Sequence, residues 1–173
     1  MTTITHHPTD EILLAYAAGA SNEGTALVVA THLALCPVCR RTVAKAEAAG
    51  GALLEAAEPA SVKPDLLDDV LARLDDPVPL PKTLKSAPAG HRAVPEPLRS
   101  YIGGGLDGIR WTDLPGGISV KSLMKTPDAR VQLIRSKPGC DAGLHTHRGE
   151  ELTLILTGGY TDVTGHYLSL IHI

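Results

Sequence analysis

Over the first 76 residues apolar side chains recur at intervals of three and four, the spacing that lines one face of an α-helix, and they predict four helices. Thr9 is placed to cap the first, which carries Ile12, Leu13 and Tyr16 and closes at Gly19. Ser21 or Asn22 caps the second, which runs through Leu27, Ala30 and Leu33. It should stop near Leu35, because Pro37 disfavours helical geometry in the residue before it and suits the first position of a new helix. The third then runs from Pro37 towards Leu54, with Gly50 and Gly51 placed to interrupt it. The fourth begins after Ser61 and sets Leu66, Leu67, Val70, Leu71 and Leu74 along one stripe, with Asp65, Asp68, Asp69 and Arg73 mostly off it. Such a stripe suits either a helix facing its own core or one that docks on a partner.

The pattern changes at Pro77. Six prolines, at 77, 79, 81, 88, 95 and 97, stand in the next 21 residues, and alternating prolines make an extended, semi-rigid linker. Beyond it, turn signals at Gly103 to Gly105, Pro115 to Gly117, Pro138 with Gly139, and Gly158 with Gly159 separate short strand-like runs. These runs are "IRWT", "ISVKSLM", "RVQLIRS" and "ELTLILT". Helices followed by strands imply separate domains: helical over 1–76, linker over 77–98 and β-rich over 99–173.

Charge narrows the partners. Residues 1–76 hold five Lys/Arg against eleven Asp/Glu, so the helical half repels a phosphate backbone and direct nucleic-acid binding is not expected of it. The N-terminus lacks a basic stretch followed by an apolar run, and no window approaches the ~18 apolar residues of a membrane span. The expectation is a cytoplasmic protein without export signal or membrane anchor. The three cysteines are too few and too unevenly placed for a disulfide scaffold, which also favours a reducing compartment with metal or redox chemistry.

Two of those cysteines stand in "THLALCPVCRR", where His32 and Cys36 are spaced to share a helix face and Cys39 lies one turn past Pro37, so that all three can converge on one point. A C-x2-C pair alone suits a redox dithiol or two buried small side chains as well as a metal. The histidine four residues earlier, and the absence of strand signals in this half, favour structural zinc, which takes four nitrogen and sulfur ligands. The fourth donor is His6 or His7, because Cys140 lies far beyond the linker. Placed in the first turn of the third helix, Cys39 meets unpaired amides that favour thiolate over thiol.

"HHPTDEILLAYAAGA" followed by "THLALCPVCRR" resembles the zinc-binding anti-sigma domain, and within that group the ChrR family of anti-sigma factors. The family pattern is a histidine near the N-terminus, about two dozen residues, then H-x3-C-x2-C, which implies His7, His32, Cys36 and Cys39 as ligands. The resemblance further implies a helical domain that binds an extracytoplasmic-function sigma factor and masks the surfaces it needs for core RNA polymerase.

A second constellation lies in "GCDAGLHTHRGEELTLILTG". His145 and His147 are two apart, so on a strand they point to one side, and Glu151 returns a carboxylate to it after a turn at Arg148 and Gly149. Two imidazoles and a carboxylate suit zinc, manganese, iron or nickel, whereas a lone H-x-H pair would suit a solvated strand. The segment is similar to the first motif of the cupin superfamily, and a cupin behind a zinc anti-sigma domain is the domain order of ChrR-type proteins. The resemblance implies a second zinc or other divalent ion, and a role in relaying singlet oxygen or organic peroxide to free the sigma factor. A cupin takes a fourth ligand, a histidine, from a second motif. Only 22 residues follow Glu151, and "LSLIHI" departs from the family, so the expectation is a truncated or frameshifted, incomplete barrel. His166 and His172 stand outside the expected context, and Cys140 is expected to be an inert half-buried thiol. The sequence thus points to a regulator, with a cupin oxygenase or isomerase carrying a helical zinc module as the alternative.

Overall fold

The computed structural model describes residues 4, 6–77, 94–140, 149–161 and 165–168. Three helices make the first unit: α1 (Asp10–Ala17), α2 (Glu23–Leu33) and α3 (Pro37–Glu55). Each begins at a residue able to satisfy a free backbone amide. Thr9 Oγ1 accepts from the amide of Ile12 at 3.4 Å, and Asn22 Oδ1 accepts from that of Thr25 at 2.9 Å, so Asn22 rather than Ser21 is the cap. Gly19, at φ 68°, reverses the chain after α1 in the left-handed conformation that glycine takes without strain. Leu13, Val29, Leu33, Cys36, Cys39 and Val43 form the core, with Ile4, Ile12 and Tyr16 packed against it.

Gly50 and Gly51 do not interrupt α3. A Cβ at either would meet nothing within 4 Å, and the alanines around them have the highest helix propensity of any residue. The fourth helix is shorter than the apolar stripe suggests. It spans Leu66–Ala72 (α4), with no side-chain cap at Asp65. Every residue from 47 to 77 is exposed, so the stripe on α4 does not face a core among the described residues.

Helix α5 (Glu96–Ile102) begins inside the proline-rich stretch. Proline is tolerated in a first helical turn, where its missing N–H has no partner to lose, and Pro97 stands there. Val94 and Leu98 are buried, and α5 packs on α2, with the Tyr101 hydroxyl donating to Glu23 Oε1 at 2.7 Å.

The strands that follow are antiparallel. β1 (Thr112–Leu114), β2 (Ile118–Lys125) and β3 (Arg130–Ser136) form one sheet in that order, with Thr112 opposite Val120 and Ile118 opposite Ser136. Of the run "IRWT" only Thr112 is in a strand. Trp111 instead lies under the Arg135 guanidinium at 4.7 Å, and Arg135 donates to Ser119 Oγ at 3.4 Å while Ser119 donates to Asp113 at 2.6 Å. β4 (Gly159–Thr161) and β5 (His166–Leu168) make a separate two-stranded ribbon. The run "ELTLILT" is not a strand: residues 151–156 have no regular structure. Alternation supplies strand propensity, but a strand persists only beside a neighbour that takes its N–H and C=O groups, and none pairs with this run among the described residues.

The two halves touch at the start of α2. A Cβ on Gly24 would lie 2.8 Å from Ala129 Cβ and 3.0 Å from Val131 Cγ2, so the helix approaches the β2–β3 turn as closely as a bare backbone allows.

Candidate metal centre

The turn between α2 and α3 brings three of the four helical-half candidates together. His32 occupies the last turn of α2. Cys36 lies beyond that helix rather than on its face: it is the N-cap of α3, at φ −101° and ψ 105°, and Pro37 opens the helix behind it. Its amide still donates to His32 O at 2.9 Å, and its sulfur accepts from the amide of Cys39 at 3.5 Å. A cysteine thus takes the role that serine or aspartate fills in most helices. Arg40 reaches back from α3 and donates to Leu33 O at 2.6 Å, holding one of the free carbonyls at the end of α2.

The fourth group arrives from residues 6–9, irregular chain just before α1. His7 Nδ1 lies 3.3 Å from Cys39 Sγ and 3.5 Å from Cys36 Sγ, and His32 Nε2 lies 3.2 Å from Cys39 Sγ. The four donor atoms fall within 4.8 Å of one another, with His32, Cys36 and Cys39 buried. A tetrahedral zinc with bonds of about 2.0 Å to nitrogen and 2.3 Å to sulfur leaves about 3.5 Å between unlike ligands. The donor set therefore has the composition and the spacing to hold a metal ion. His6, the neighbour that the sequence could not separate from His7, turns its ring instead onto Tyr167 of β5, 5.5 Å away and edge-on.

Electrostatics prepares the two residue types differently. Burial, together with the nearby His7, lowers the His32 pKa to about 4, so its imidazole is neutral with a free lone pair at pH 7. Burial, reinforced by Cys36 and more weakly by Asp10, pushes the Cys39 thiol up to about 12. The expected bias towards thiolate at the start of α3 is therefore outweighed: without a cation, removal from water dominates the helix dipole. A bound cation reverses that balance, because only the thiolate is a ligand.

Of the second constellation, the described residues include Glu151 alone. His145 and His147 lie outside the described residues. Glu151 is described, exposed and in irregular chain rather than in a strand. His166 faces Thr161 across the β4–β5 ribbon, its Nδ1 2.6 Å from the hydroxyl, and His172 lies outside the described residues. Cys140 is a half-buried free thiol beside Gly117. Among the described residues, the His7, His32, Cys36 and Cys39 group is the one cluster able to hold a metal. Two contributors escaped the sequence: Arg40, whose only signal is a basic residue just past a helix end, and Gly24, whose signal is a glycine inside a helix.

A small helical bundle in which two histidines and two cysteines converge, followed by antiparallel strands, defines a protein whose helical part is able to hold a metal ion. No family model matches the chain. It is 38% identical over 165 residues, 95% of this chain and 76% of the relative, to the anti-sigma-E factor ChrR of Cereibacter sphaeroides. It also superposes with a TM-score of 0.83 and 37% identity on a chain in the crystal structure of Rhodobacter sphaeroides SigE in complex with the anti-sigma ChrR. That match covers 97% of this chain and 85% of the other. The protein belongs to the ChrR family of anti-sigma factors.

Proposed function

We propose that this chain is a zinc-dependent anti-sigma factor that captures an extracytoplasmic-function sigma factor in the cytoplasm. His7, His32, Cys36 and Cys39 are the ligands of a structural zinc, and the ion locks the N-terminal residues onto the α2–α3 turn. No helix among the described residues is long and apolar enough to cross a membrane, which agrees with that location. Residues 1–76 act as the binding domain, 77–98 as the linker and 99–173 as the responding domain. In the latter, His145, His147 and Glu151 contribute to a second divalent-metal site that relays an oxidant such as singlet oxygen or organic peroxide. The protein works by binding rather than by turnover.

The observation that carries this reading is the segment after Val43. Leu53, Leu54, Val62, Leu66, Leu67, Val70, Leu71 and Leu74 are between 41% and 77% exposed, on an arm with no buried residue. A seven-residue helix has little stability alone, and each such side chain contributes about 1.5 to 3 kcal/mol when fully buried. An apolar arm of this length is suited to close on a second protein. The SigE complex of the relative supplies the class of partner.

The test is co-purification of the full chain with the sigma factor encoded beside it, using Leu67→Asp with Leu71→Asp as the comparison. The double variant should keep its helical circular dichroism and lose at least tenfold in affinity. Equal affinity would remove the arm from the interface, and failure of the unaltered chain to bind or inhibit any sigma factor would defeat the proposal.

A further inference from the structure

His7 differs from its three companions. His32, Cys36 and Cys39 are placed by α2, α3 and the turn between them, whereas His7 belongs to irregular chain ahead of α1 and is the most exposed of the four. Its position depends on what holds that strap down. Ile4 packs against the helical core on one side. The two neighbouring rings face different partners: the His7 ring meets the two sulfurs while the His6 ring meets Tyr167. The strap thus runs between the metal ligands and the β4–β5 ribbon. Tyr167 is itself braced, because it lies directly opposite Tyr160 in the ribbon and the two rings stack at 5.9 Å and 30°.

We propose that Tyr167 is a positioning residue for the metal centre: by packing on His6 it holds the strap that delivers His7, so the β half governs how fast the ion leaves. The inference rests on the four-ligand zinc site of the preceding section and adds a physical route by which the other half reaches it. Ring pairs of this geometry have modest strength, which converts to about a threefold to tenfold change in a rate. That is too little to unfold the site and enough to set its lifetime.

The experiment follows transfer of zinc from the loaded full chain to a chromogenic chelator. It compares the unaltered protein with Tyr167→Ala, His6→Ala, the double variant and Tyr167→Phe. Each alanine variant should release zinc about threefold to tenfold faster, the double variant no faster than either single one, and the phenylalanine variant at the original rate. His6→Ala leaves the ribbon intact, so it decides the matter even where Tyr167→Ala disturbs the β half. An unaltered protein that holds one zinc, with variants that release it at the same rate or with multiplying effects, would overturn the positioning role alone. An unaltered protein that takes up no zinc would overturn the metal site and this role with it.

Discussion

At the scale of single residues, the centre sets two demands against each other. Cys36 and Cys39 are completely or almost completely buried, and burial holds the Cys39 sulfur as a thiol where a divalent cation needs a thiolate. His32 is held neutral and gives up no proton on binding, whereas Cys39, with its pKa pushed up to about 12, must give up one. Zinc affinity should therefore climb with pH through the neutral range, by about tenfold per unit for each proton released. Acidification works in the opposite direction and should free the ion. Competition titrations at pH 6, 7 and 8 check this, and a constant affinity would mean the thiols are not ligands. Cys39→Ala removes one of the four proposed ligands and opens a cavity in the helical core. Apparent binding free energies for structural zinc are about 10 to 16 kcal/mol, so the variant should lose zinc, helical circular dichroism and sigma-factor binding together. A metal-free Cys39→Ala protein with normal helicity and affinity would show that the ion is dispensable.

At the scale of elements, the bundle is tied together at helix ends. Pro37 stops α2 and starts α3, Cys36 serves as cap and donor group at once, and Arg40 ties the new helix back to the old one. The break at Pro37 could be read from "CPVCRR", but the capping role of Cys36 and the bond of Arg40 could not, since both depend on how the two helices meet. Gly24 is a similar case. In the sequence it is an unremarked helix residue, and in the structure it is the point where α2 meets the β2–β3 turn. Gly24→Val should cost about 1 to 3 kcal/mol through overpacking, despite valine's better helix propensity. Urea denaturation measures it, and a more stable variant would mean that the approach is looser than the distances state. The apolar stripe on α4 was equally legible, but not its direction, since periodicity identifies a face without saying what covers it.

At the scale of the whole molecule, the two halves touch at α2 and again at the N-terminal strap, so a change in one has a mechanical path to the other. Chelation of zinc from the full chain should lower helicity and lift inhibition of the sigma factor. Returning zinc should restore both, and a chelated protein that still inhibits would contradict a folding role for the ion. His145→Ala should leave sigma-factor affinity within about twofold and blunt release by oxidant. Equal release from this variant would separate that histidine from the response.

The order helices, proline-rich stretch, strands was legible in the sequence, as were the cap at Thr9, a cap at Ser21 or Asn22 that the structure resolves to Asn22, the break at Pro37 and the group His32, Cys36 and Cys39. Each depends on neighbours within a few residues, where backbone sterics and side-chain period settle the outcome. Tertiary structure alone decided that the α4 leucines face outward and that residues 151–156 form no strand, and it turns His7 rather than His6 towards the sulfurs, a choice that spacing left open and the family resemblance favoured. These depend on which surfaces meet across the fold, and a local pattern carries no information about what lies opposite it.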